Sequence, residues 1–205
     1  FSTLTLTCKE DMPLLVLMLG FYALVVRRRL LAGLLTIAGS ALWFILAVGV
    51  IMPFFDLQGV APLANRYGYL GDGPAEIVVT IVTQPRLVRL DLLTVENLSY
   101  LRDLMAPVAF LSLLAPQVLI LGAPTLLINL LSTDGFMRQL EGFHYAAPLV
   151  PIVVISAAYG TAWLLRHANR LRYLPALLAL GVLLATLIYH YGHGYTPLAA
   201  FFPGT

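Results

Sequence analysis

Apolar residues run along this chain in long blocks, and charged residues gather where the blocks stop. The clearest block is Leu30–Met52, 23 residues without a charge, bounded by Arg27-Arg28-Arg29 on one side and Pro53 on the other. Its length matches the roughly 20 apolar residues that an α-helix needs to cross a bilayer. Ahead of it lies a shorter block, Pro13–Val26, with Asp11 suited to cap a helix and Pro13 suited to its first turn. Its 14 residues rise only about 21 Å, short of the roughly 30 Å hydrocarbon core. The arginines can snorkel at one end. Lys9, Glu10 and Asp11 are then drawn close to the bilayer surface at the other.

Residues 53–103 interrupt the apolar pattern with turn signals: Gly68, Gly71-Asp72-Gly73-Pro74 and Gln84-Pro85. Within them the pattern predicts two short amphipathic helices on the membrane surface. One is Ala75–Thr83 after Gly73-Pro74, and the other starts at Val95 behind a Thr94 cap. Residues 104–132 are apolar again but carry Pro107, Pro116 and Pro124. No Lys or Arg occurs between Arg102 and Arg138. A single crossing here would put the basic cluster Arg166–Arg172 on the wrong side for the positive-inside rule. The stretch therefore reads as a broken or re-entrant helical hairpin hinged near Ala115-Pro116. Two further spans follow, 144–165 and 173–190.

The expected fold is all-α: one polytopic transmembrane helical bundle over 1–205. Its spans lie near 13–29 and 30–52, at the hairpin 104–132, and near 144–165 and 173–190, with an outer segment 53–103. Arg27–Arg29 and Arg166–Arg172 mark the cytoplasmic side of a multi-pass cell (plasma) membrane protein. Tyr189, Tyr191 and Tyr195 suit an aromatic belt.

Composition agrees with the pattern. Hydrophobic residues make up 60% of the 205 positions and charged ones 11%, against about 25% in soluble domains. One core could not hide that much apolar surface, whereas lipid covers it. The net charge of +2 adds little, and the basic clusters have no soluble domain around them, which excludes a nucleic-acid-binding role. Cys8 is the only cysteine, so neither a disulfide within the chain nor a cysteine metal set is available. His190 and His193 form a pair without a third ligand, and no metal site is assigned.

Candidate chemistry sits at the ends of the apolar runs. Ionisable groups at membrane depth are costly and point to function, which singles out Lys9, Glu10 and Asp11. Successive helical residues point about 100° apart, so one or two of the three would act. Arg66-Tyr67 lies among aromatics, and the planar arginine fork suits a phosphate. His144, beside Tyr145, can move protons near neutral pH. With this topology Glu10, Asp11, Arg66 and His144 all fall on the outer face. Each also has a plain structural reading: a helix cap, an interfacial anchor, or a hydrogen-bonded residue at a helix start.

Several segments carry a family resemblance. They are Lys9-Glu10-Asp11 before an apolar run and arginines, Arg66-Tyr67-Gly68-Tyr69-Leu70-Gly71, the stretch from Pro124 to Ser132, and His144-Tyr145 with Pro148 and Pro151. In that order they resemble the bacterial membrane proteins grouped as domain of unknown function 2079. That family is similar to the GT-C class of glycosyltransferases, which take sugar from a polyprenyl-phosphate carrier at the outer face. In the enzyme reading Glu10 or Asp11 would assist acid/base or metal chemistry, and His144, the third catalytic candidate, would line the acceptor site. Lys9, Arg66, Tyr67 and Tyr145 would bind substrate, with Arg66 on the carrier phosphate. A polyprenyl-phosphate sugar donor and a divalent cation are the cofactors that reading suggests. The acidic general base of such enzymes lies in a first outer loop that these residues do not include. Family members are longer, so the chain reads as a fragment, their C-terminal membrane half. Two alternatives stand beside the enzyme: a non-catalytic accessory or scaffold subunit of a membrane complex, and a transporter or flippase.

Overall fold

A computed structural model of the chain describes residues 5–6, 9, 11–55, 66–140, 144–168, 171–194, 196 and 199–200. Glu10, Cys8, Arg170 and Tyr195 lie outside the described residues. Nine α-helices occur among those described: α1 (Met12–Val25), α2 (Leu30–Phe55), α3 (Pro74–Thr83), α4 (Pro85–Leu92), α5 (Val95–Met105), α6 (Pro116–Leu119), α7 (Ala123–Leu131), α8 (Leu149–His167) and α9 (Leu174–His193). Among the described residues there is no strand. The chain forms two compact units, residues 1–93 with 121–137, and residues 94–120 with 138–205.

In the first unit α1 and α2 form an antiparallel pair. The buried stripe of α1 is Pro13, Val16 and Gly20, and that of α2 includes Gly33 and Ser40. Small residues at these crossings let the two backbones approach. A Cβ on Gly20 would lie 2.8 Å from Ile37 Cγ1, and one on Gly33 would lie 2.9 Å from Leu24 Cβ. Close backbone packing of this kind is how helices associate where lipid leaves no hydrophobic drive. The turn between them is made by Arg27–Arg29, with Arg28 left-handed at φ 52°.

Helix α2 does not stop at Pro53. It runs on to Phe55 through a π-helical segment, Ala47–Ile51. The missing proline N–H and the clash with the preceding turn are absorbed where the helix widens. There the Met52 N–H bonds to Ala47 O.

Beyond residue 65, α3 and α4 follow one another at Gln84. The Gln84-Pro85 turn signal marks a real break, but Pro85 then opens α4 as its first residue. The sequence pattern had placed only a turn there. Tyr67, Leu70, Val88 and Leu131 form the buried centre of this part of the unit. Ile77, Ile81 and Leu127 pack around them.

The second unit begins as predicted, with the Thr94 side chain accepting from the Asn97 N–H at 3.3 Å at the start of α5. The chain then breaks twice. Ala109 N–H bonds to Ala106 O and Phe110 N–H to Met105 O, the paired closure of a Schellman motif. An alanine sits at its left-handed position, φ 51°, and Phe110 follows at φ 57°. The second break is the expected one, at Ala115 before Pro116. A 3-10 turn, Leu111–Leu114, lies between the two breaks.

Helix α8 covers this irregular stretch with one face, Leu149, Ile152, Val153, Ser156, Ala157 and Gly160. The Ser156 hydroxyl lies 2.8 Å from Ser112 O and 2.9 Å from Ala115 O and donates to them. Gly160 comes so close to Leu111 O that a Cβ there would collide with it. Irregular backbone at membrane depth is tolerated where protein covers it, and here Ser156 and Gly160 do so. Helix α8 starts at Leu149, later than the pattern suggested, because His144–Ala146 forms a 3-10 turn ahead of Pro148.

The outer faces of the long helices explain the composition. No residue of α9 is buried, and only 6% of the most apolar part of α2 is. Both are long and apolar enough to cross a membrane, as is α8.

Candidate functional site

Four of the residues singled out by the sequence lie in the first unit. Lys9 and Asp11 form an ion pair, Nζ to Oδ2, at 3.2 Å. Asp11 is 6% exposed. Its other oxygen, Oδ1, is buried and has no hydrogen-bond partner among the described residues. Although Asp11 occupies the cap position of α1, its side chain caps nothing. A buried, unsatisfied carboxylate oxygen costs stability. Glu10, the third member of the motif, lies outside the described residues.

Arg66 and Tyr67 are placed by the end of α7. A helix leaves its last carbonyls without partners, and two tyrosines supply them here. Tyr67 Oη donates to Ile128 O at 2.8 Å, and Tyr69 Oη donates to Leu131 O at 2.9 Å. The Thr133 N–H and hydroxyl both donate to Arg66 O, at 3.0 and 3.1 Å. The Arg66 guanidinium faces Asp134, Nε to Oδ2 at 3.7 Å, with both side chains about one-third exposed. Asp134 is itself held, since Oδ1 accepts from the Phe136 N–H at 3.1 Å.

The segment Ser132-Thr133-Asp134 thus fixes Arg66, and sequence reasoning had passed over it. The available signal was local: Ser-Thr-Asp-Gly is a composition that folds side chains back onto its own backbone.

The Tyr67 phenol joins these groups electrostatically. Burial pushes its pKa from 10.0 up to about 12. The Arg66 charge and a hydrogen bond from Ser132 act in the opposite direction, while Asp11 and Asp134 add to the rise. Asp11 is therefore near enough for its charge to be felt at Tyr67, which keeps its proton throughout the physiological range.

His144 and Tyr145 belong to the second unit. Their rings stack at 4.8 Å with an interplanar angle of 24°. His190 and His193 do not act as a pair. His190 Nε2 lies 2.6 Å from Thr196 Oγ1, and His193 stacks on Tyr189 at 4.5 Å. Among the described residues no group of three or more His, Cys, Asp or Glu side chains is placed to hold a metal ion. The second unit also contains a cavity of about 350 Å³, lined by aliphatic side chains with Asp103 and Tyr189.

Helices with unburied apolar faces, and backbone breaks covered from within, define a helical membrane protein. The chain belongs to the DUF2079 family of predicted membrane proteins, whose model matches residues 1–200. The family read from the ordered motifs is thereby the right one. No curated protein and no solved structure matches the chain.

Proposed function

We propose that the protein is a membrane glycosyltransferase of GT-C type that uses a polyprenyl-phosphate sugar. The observation that carries this reading is Asp11, a buried carboxylate with one oxygen unpartnered and the other on Lys9. In the reaction an acceptor hydroxyl oxygen bonds to the anomeric carbon as the bond from that carbon to the carrier phosphate breaks. Asp11 Oδ1 takes the hydroxyl proton, standing in for the first-loop acid of the GT-C class, which these residues do not include. The leaving phosphate keeps the bonding electrons, and the charges of Lys9 and Arg66 stabilise it. Glu10 is a second candidate for the base, and Tyr67 holds the segment that carries Arg66.

The positive-inside rule orients the molecule in the cell membrane. Arg27–Arg29 and Arg166–Arg172 face the cytoplasm, and the start of α1 faces outward. Residues 104–132 then act as a re-entrant hairpin.

The test is release of polyprenyl phosphate from a panel of synthetic polyprenyl-phosphate hexoses in proteoliposomes, with an acceptor extract present. Wild-type protein turns over at least one donor, and Asp11→Asn and Arg66→Ala reduce that turnover. Unchanged turnover in both variants removes the reading.

A non-catalytic scaffold has one observation in its own favour. Tyr67, Tyr69 and Arg66 all make contacts that hold the end of α7. Stoichiometric co-purification with other membrane subunits, without lipid-sugar turnover, would decide for it over both the enzyme and a transporter.

A further inference from the structure

The cavity of the second unit takes no part in the chemistry proposed above. At about 350 Å³ it falls at the small end of the roughly 300–1,000 Å³ range of ligand pockets. Its wall is hydrocarbon, with Leu104, Pro107 and Val108 on one side and Val150 and Val153 on another. Its charged lining residue is Asp103, whose partner Arg102 stands outside the wall. Asp103, which lines the cavity, accepts from Arg102 Nε at 2.8 Å. The Asp103 side chain is 21% exposed and that of Arg102 is 61% exposed. Tyr189 also lines the cavity.

Depth matters as well. Val150 lies in the first turn of α8 and Tyr189 in the last turns of α9, and both helices are long enough to span. The cavity therefore opens at the level of helix ends, where headgroups and aromatic belts lie.

A hydrocarbon slot with a carboxylate in its wall, and an exposed arginine paired to that carboxylate, is complementary to an amphiphile whose own head carries both charges. We propose that this cavity seats one acyl chain of a zwitterionic phospholipid with a phosphoethanolamine head, its phosphate on Arg102 and its ammonium on Asp103. Nε of Arg102 is engaged by Asp103, and its two terminal amino groups are the fork for phosphate. The ammonium brings three donors to the Asp103 carboxylate and lies within reach of the Tyr189 face. A phosphoglycerol head can place its phosphate on Arg102 but has no ammonium to offer Asp103. A choline head has no N–H to donate. The volume fits a stretch of one chain rather than two.

This inference concerns the second unit alone and stands or falls apart from sugar transfer. Native mass spectrometry of the detergent-purified full chain tests it, by titration with phosphatidylethanolamine, phosphatidylcholine and phosphatidylglycerol of identical chains. Wild-type protein is expected to hold one phosphatidylethanolamine roughly tenfold more tightly than either competitor, the worth of one charge-assisted hydrogen bond. Asp103→Asn removes that preference, and Arg102→Gln weakens retention of all three lipids. Val150→Phe, at a half-exposed position that tolerates bulk, fills the slot and expels the chain. Asp103 and Arg102 are exposed enough for their variants to fold, and an unchanged thermal midpoint verifies it. Equal retention of the three lipids by wild-type protein overturns the proposal, as does a preference that survives both Asp103→Asn and Val150→Phe.

Discussion

The phenol of Tyr67 donates to the carbonyl of Ile128 at 2.8 Å, across 61 residues of sequence. Two residues on, Tyr69 does the same for Leu131. The Arg-Tyr-Gly-Tyr-Leu-Gly segment is therefore a clamp on the end of α7, and the clamp carries Arg66. Tyr67→Phe takes the donor from a part-buried carbonyl and should cost about 1–3 kcal/mol. Tyr69 is 41% exposed, so water can replace its hydroxyl and Tyr69→Phe should cost less. Unfolding of the two variants in the same detergent gives the comparison. Equal losses would mean that Tyr67 is not the principal tie.

The same phenol predicts an alkaline weakness. In the unfolded chain Tyr67 titrates at the ordinary 10.0, and in the folded protein at about 12. Below pH 10 both states hold the proton and the contribution is fully present. Between pH 10 and 12 the unfolded state loses its proton first, so stability falls as pH rises. The loss is on the order of 3 kcal/mol at most. Melting curves from pH 9 to 11.5 should converge, with wild type losing more than Tyr67→Phe. Parallel loss in both proteins would show that the phenol is hydrated.

At the covered breaks, two substitutions should move stability in opposite directions. Ser156→Ala removes the hydroxyl that serves Ser112 O and Ala115 O and should destabilise by about 1–3 kcal/mol. Ala109→Gly relieves a left-handed alanine and should stabilise by about 1 kcal/mol. Thermal midpoints in one detergent test both, and a destabilising Ala109→Gly would contradict the left-handed turn.

Much of this architecture was legible because its signals are local. Thr94 caps α5 as a threonine before an apolar run should, and Pro116 breaks the chain where proline spacing said it would. Pro53 misled, whereas Gln84-Pro85 marked a real break and hid only the helix that Pro85 opens. Proline forbids one hydrogen bond, yet a π-helical segment tolerates it in α2, and the first-residue position tolerates it in α4. At the candidate site, Lys9, Asp11, Arg66 and Tyr67 stood out as polar groups beside apolar runs. Their partners did not. Asp134 meets Arg66 only because α7 brings distant residues together, and no sequence period records that contact. The Arg102–Asp103 corner was equally silent, since adjacent opposite charges are ordinary on an exposed helix until a cavity opens beside them.

Asp11 separates a working carboxylate from a structural one, because stability and activity should part company there. Asp11→Asn keeps the shape of the side chain while removing the charge. It gives up attraction to Lys9 at 3.2 Å. It also replaces a buried, unpartnered carboxylate oxygen by a neutral amide atom, which lowers the cost of leaving that position unpartnered. The two changes oppose one another, so the unfolding midpoint should shift little. Turnover of a polyprenyl-phosphate sugar should fall by about 10²–10⁴-fold, the usual worth of a general base. Asp11→Glu, which restores a carboxylate, should recover part of it. A structural ion pair would give the reverse: a lowered midpoint, with turnover per folded molecule unchanged.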